Sequence, residues 1–183
     1  MNLFYEDYPT AVCVEGREIP IVTDFREIIK LIDMLKTEDM NPREKMYFLL
    51  QYFQEQPEDF EKAVEALTDF VTMKEFYDQS MEEYEPEEES GDESPRKDVY
   101  SFSIDYPFIF SAFLQDYRIN IRTIQYMHWW EFRMLFSGLS ESTEIKQRIM
   151  YRSTDLSKVK DKEERKRIAN IQHSIRLPDA DLT

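Results

Sequence analysis

From Ile104 to Leu139 the chain reads IDYPFIFSAFLQDYRINIRTIQYMHWWEFRMLFSGL, its densest run of apolar and aromatic positions. The pattern predicts two helices with a very short break. In the first, Tyr106, Ile109, Phe110, Phe113 and Tyr117 recur at the spacing of one helical face. Pro107 falls in the first turn, where proline is tolerated, behind the capping candidate Asp105. The second helix is expected from about Asn120, with Ile121, Ile124, His128, Phe132, Leu135 and Leu139 along one face. Trp129, Trp130, Met134 and Phe136 stand off that face, so this helix is apolar almost all round. Helices of that kind are enclosed by their neighbours, which makes 120–139 the predicted centre of the core.

The remaining pattern is shorter and more polar. Residues 8–23, YPTAVCVEGREIPIVT, hold two β-prone runs, Ala11–Val14 and Arg17–Val22, around a tight turn at Glu15-Gly16. Pro20 makes the second run an edge or irregular strand. A lone hairpin is marginal in water, so it must pack on the body or pair with another chain; packing on its own body is the expectation.

Thr23-Asp24 caps a helix from Phe25 to about Lys36, with Phe25, Ile28, Ile29, Ile32 and Leu35 inward. Asn41-Pro42 starts a second, whose buried stripe is expected at Met46, Leu49, Leu50 and Phe53. Pro57-Glu58-Asp59 starts a third, running to about Asp78. Thr143 caps a short helix to about Tyr151, and Ser153-Thr154-Asp155 restarts one that runs to Ile175. The fold class that follows is mainly α: a single-domain helical bundle over 1–183. It has an N-terminal β-hairpin at 8–23, a disordered acidic loop at 81–97 and a charged C-terminal helix at 153–176.

Composition narrows the functions. The 42% hydrophobic fraction supports a folded body, and three glycines are too few for Gly-rich phosphate loops or dinucleotide fingerprints. One cysteine allows no internal disulfide. The N-terminus lacks the pattern of a signal peptide, and no apolar run reaches the ~20 residues that span a bilayer. A cytoplasmic protein is expected.

The net charge of −15 is uneven: from Glu144 on, ten Lys/Arg stand against seven Asp/Glu, so the first 143 residues carry −18. An acidic body argues against phosphate neutralisation, and hence against nucleic acid. The basic C-terminal helix keeps a nucleic-acid-binding regulator as the alternative. Eight acidic residues between Glu82 and Glu93 read as mutually repelling, disordered chain, without the spacing of a calcium loop.

Catalytic chemistry is not expected. His128, His173 and Cys13 do not share metal-ligand spacing, and no cofactor motif is present. His128 lies in the apolar seam without a serine or cysteine in a nucleophile setting, so a buried structural histidine is the better reading. Trp129 and Trp130 are read as packing residues before an aromatic platform for a base or sugar. Glu131 and Arg133 are expected to pair.

Several segments carry a resemblance: Thr23-Asp24-Phe25-Arg26, Ser101-Phe102-Ser103-Ile104-Asp105, Ala112-Phe113, Tyr117, Tyr151-Arg152 and above all His128-Trp129-Trp130-Glu131-Phe132-Arg133 with Leu135. In these the chain resembles a family of tailed-phage and prophage proteins of Gram-positive bacteria, encoded just upstream of the tail tape-measure gene. The resemblance covers nearly everything but the acidic stretch, and its specific part is His-Trp-Trp-x-Phe.

It implies a non-enzymatic, chaperone-like role in tail assembly, with other tail proteins, chiefly the tape-measure protein, as partners, and with self-association as a further interaction. Because they stand off the main buried stripe, Trp129, Trp130 and Phe136 are the expected partner-facing residues, and His128, Phe132 and Leu135 the expected structural core. Where the family usually has glycine and aspartate, this chain has Arg118 and Asn120. Arg118 is less suited to positive φ, whereas Asn120 keeps the capping chemistry. The acidic stretch is not typical of the family.

Overall fold

A computed structural model describes residues 3–37, 39–81 and 99–177. The acidic stretch expected at 81–97 lies outside them from residue 82 onward. The fold is mainly helical with an N-terminal antiparallel hairpin, as the pattern predicts. Expected as one domain over 1–183, the chain divides into two compact units: residues 1–93 with 126–133, and residues 94–125 with 134–183.

In unit 1, β1 (Ala11–Val14) pairs antiparallel with β2 (Arg17–Pro20), Val14 opposite Arg17 and Val12 opposite Ile19. Glu15 and Gly16 both have positive φ, 52° and 80°, as a two-residue turn matched to strand twist requires. The paired strand ends at Pro20 rather than Val22, although Ile21 N–H still donates to the Thr10 carbonyl at 3.0 Å; Pro20, opposite Ala11, stands on the outer edge, where its missing N–H costs the hairpin no bond. The chain is also held by residues 52–54: Val22 N–H donates to the Tyr52 carbonyl and Gln54 N–H to the Pro20 carbonyl, at 2.8 Å each. The hairpin packs on its own body, with Val12, Val14 and Ile19 buried and the third helix against β1.

α1 (Phe25–Lys36) is capped by Asp24, whose carboxylate accepts from Arg26 N–H, and buries Phe25, Ile28 and Leu31. α2 (Pro42–Leu50) opens on a capping box: Asn41 accepts from Arg43 and Glu44 N–H, and the Glu44 carboxylate accepts from Asn41 N–H. The third helix expected to run to Asp78 is two: α3 (Phe60–Thr72), capped by Asp59, and α4 (Lys74–Met81). Met73 separates them at φ 59° with its side chain buried, so tertiary packing overrides the helical pattern there.

The 120–139 helix is the largest correction. α6 runs only from Trp129 to Ser137, residues 129–133 belonging to unit 1 and the rest to unit 2. Residues 126–128 are extended alongside 23–25: Phe25 N–H donates to the Met127 carbonyl, Trp129 N–H to the Thr23 carbonyl, and Asp24 and His128 form an antiparallel bridge. These inter-segment bonds use backbone groups that a continuous helix needs. Asn120 closes a turn, not a helix, accepting from Arg122 N–H on its side chain and from Thr123 N–H on its carbonyl.

In unit 2, α5 (Tyr106–Tyr117) follows the prediction, with Ile109, Ala112 and Phe113 buried and Tyr106 partly exposed. Asp105 does not cap it by a side-chain bond; its carboxylate is engaged elsewhere, as described below. α5 ends at Arg118 in the left-handed region, φ 61°. α7 (Glu144–Ser153) is longer than expected. The predicted helix at 153–176 begins late, because two aspartates cap in quick succession. Asp155 accepts from Ser157 N–H in a 3₁₀ turn at Leu156–Lys158, and Asp161 accepts from Glu164 N–H to start α8 (Lys162–Ile175).

Candidate interaction surfaces

The His-Trp-Trp-x-Phe segment is interior. The His128 ring N-caps α6: Nδ1 accepts from Trp130 N–H at 3.0 Å, which leaves Nε2–H to donate to the Pro9 carbonyl at 2.9 Å. Both ring nitrogens are thereby satisfied by a neutral imidazole. Burial pushes its pKa below the usual histidine value, and the Pro9 bond opposes that only in part. Tyr8 stacks on the ring at 4.8 Å, and Phe70 meets it edge-on. His128 is 3% exposed, and its ring ties Pro9 to the start of α6.

The two indoles finish α3. Trp130 Nε1–H donates to the Phe70 carbonyl and Trp129 Nε1–H to the Val71 carbonyl, each at 2.9 Å. Both carbonyls lie in the last turn of α3, and that of Phe70 also accepts from Met73 N–H at 3.1 Å. Trp129 and Trp130, expected to face a partner, are 0% and 1% exposed. That expectation is corrected: both rings are buried, and the polar edge of each is taken by the end of α3. Phe132 stacks on Phe25 at 4.5 Å and on Trp129 at 5.9 Å, a core residue as predicted. Arg133 lies over the Trp129 ring at 5.4 Å instead of pairing with Glu131.

Phe136, the third expected partner contact, is buried in unit 2 between Tyr100 and Phe102, with ring centroids at 5.1 and 5.5 Å. Leu135, expected in the core, is half-buried, and its carbonyl accepts from the Tyr117 hydroxyl at 2.9 Å. The polar centre of unit 2 is the ion pair of Arg152 with Asp105, whose side chains are 7% and 1% exposed. The two guanidinium bonds to the carboxylate measure 2.6 and 3.0 Å, and Arg152 also donates to the Val99 and Ile175 carbonyls. Asp105 additionally accepts from Ser101 N–H. One buried arginine therefore joins the entry to α5, the end of α7 and the end of α8.

What stands open is elsewhere. On α2, Met46, Tyr47 and Phe48 are 44%, 64% and 45% exposed, and Leu35 at the end of α1 is 42% exposed. Lys45 Nζ donates to the Leu35 carbonyl at 2.7 Å and holds the two helices' ends together. Met46 and Leu35 were expected inside; of α2 only Leu49 is fully buried. The signal was legible: Met46, Tyr47, Phe48, Leu49 and Leu50 are five consecutive apolar positions, and a nine-residue helix cannot turn them all to one side. Large apolar groups gathered on a surface mark a place where another molecule is met.

A family model described as Bacteriophage Gp15 protein matches residues 5–177, which spans both units. No curated protein matches the chain, and neither does any solved structure.

Proposed function

The chain belongs to the bacteriophage Gp15 protein family, and from that premise we propose that it is a non-enzymatic factor of phage tail morphogenesis. It acts in the host cytoplasm as a chaperone-like protein that binds the tape-measure protein before tail-tube subunits polymerise around it. The observation that carries this reading is the exposed apolar face of α2 and the end of α1: Leu35, Met46, Tyr47 and Phe48. A chaperone for a long helical chain must present apolar surface to the stripe that would otherwise aggregate. The resemblance of the central segment to proteins encoded beside the tape-measure gene supplies the partner, and the acidic balance of the chain favours solubility of a complex.

Co-expression with the neighbouring tape-measure protein, followed by affinity purification and light scattering, tests the reading. A soluble complex, with the tape-measure protein insoluble when expressed alone, is the expected result. No association, and equal solubility with and without this chain, overturns it.

A further inference from the structure

The two units differ in charge far more than in size. Unit 1 carries 27 Asp/Glu against 9 Lys/Arg, whereas unit 2 carries 11 against 14. In each unit one helix also shows a pair of exposed like charges. On α3, Glu61 and Glu65 stand exposed at i and i+4, with no ion-pair partner among the described residues. The neighbouring charges of that helix are already engaged: Lys62 with Glu15 and Asp59, and Asp69 with Lys74. On α8, Lys162 and Lys166 stand exposed at the same i, i+4 spacing with Arg165 beside them, again without an ion-pair partner among the described residues. There Arg167 is taken by Glu164, Asp161 is the cap, and Glu163 is the exposed carboxylate left over.

We propose that these stripes are the two sides of one contact between copies of this chain, α3 of one copy against α8 of another. Side chains at i and i+4 are about 5–6 Å apart on any helix, so two carboxylates on one helix meet two ammonium groups on the other in register. Two α3 faces repel each other, and so do two α8 faces. The contact therefore joins α3 to α8 and not like to like, either reciprocally in a closed pair or head to tail. Exposed ion pairs are individually weak, which makes the association reversible and strongly dependent on salt. This inference does not rest on the tape-measure reading, and it concerns a different surface from the α2 face.

Sedimentation velocity over a range of protein concentrations tests it, at ~0.01 M and ~1 M salt, where the Debye length is about 30 Å and 3 Å. The expected result is concentration-dependent growth in mass at low salt, weakened at least about tenfold at high salt. Glu61→Lys/Glu65→Lys and Lys162→Glu/Lys166→Glu, each checked for fold by circular dichroism, should each be monomeric alone and associate when mixed. If either double reversal does not fold, Glu61→Gln/Glu65→Gln replaces it and should weaken the low-salt association. A wild-type chain that stays monomeric at low salt overturns the proposal. So does a mixture of the two reversed variants that fails to associate.

Discussion

Unit 1 buries its polar groups in neutral form, whereas unit 2 buries a full charge pair. In unit 1 an uncharged imidazole caps α6 and two indole N–H groups close the end of α3, so each bond serves a backbone group at a helix end. In unit 2 a guanidinium and a carboxylate do the joining, with Arg152 reaching Asp105, Val99 and Ile175. The difference teaches where each unit is fragile. Large rings stabilise unit 1 through their volume, so it should fail by cavity. Charges lose their solvation in unit 2, so it should fail when one of them is left alone.

The largest effects come from testing that contrast directly. Arg152→Ala leaves Asp105 buried without its cation and should cost about 3–5 kcal/mol, with exchange protection lost first in residues 99–125 and 134–177. The double change Arg152→Met/Asp105→Leu removes both charges and should recover most of that loss. Failure of the pair to recover would mean that the bonds to Val99 and Ile175, and not the charge balance, hold unit 2. Trp130→Ala should cost about 3–5 kcal/mol by opening a cavity beside Phe70 and Phe76 and removing one of the two donors to the Phe70 carbonyl. Chemical denaturation followed by the emission of the remaining Trp129 reads it.

Smaller effects sharpen the same comparison. His128 has a folded pKa lowered by burial, so the folded protein binds fewer protons than the unfolded chain. Its contribution is complete above the unfolded value of about 6.5 and is lost as pH falls from there through the lower folded value. Thermal unfolding followed by tryptophan emission should therefore weaken below about pH 6.5. His128→Gln should remove that part of the pH dependence. Arg118→Gly should be mildly stabilising, by up to about 1 kcal/mol, because Arg118 holds φ 61° without the freedom of glycine. An unchanged or lower melting temperature would mean that the arginine side chain contributes more than its backbone costs.

Local signals mark true elements wherever they are self-sufficient. Glu15-Gly16 makes the turn, Asp24, Asn41 and Asp59 cap the helices they precede, and Ile109 and Phe113 sit inside α5 as their spacing requires. The misreadings share one cause. Met73 and residues 126–128 follow a helical pattern, but burial of Met73 and pairing of 126–128 with 23–25 decide their backbone. Those partners are about a hundred residues away or set by tertiary packing, and no local period encodes them.

The expectation that Trp129, Trp130 and Phe136 face a partner failed for a related reason. Trp129, Trp130 and Phe136 lie off the predicted stripe, yet a helix enclosed on several sides buries residues all round. By contrast, the apolar run on α2 exceeds what one face can bury, and that surplus was visible in the sequence before any contact was known.

The double variant Tyr47→Ser/Phe48→Ser, in the same co-expression with the tape-measure protein, decides whether the α2 side chains bind it. Both side chains are exposed, so the fold should change by no more than about 0.5 kcal/mol. The account predicts that the variant melts like the wild type yet no longer keeps the tape-measure protein soluble or co-purifies with it. A folded variant that still forms the full complex would contradict the assignment of the α2 face as the binding surface.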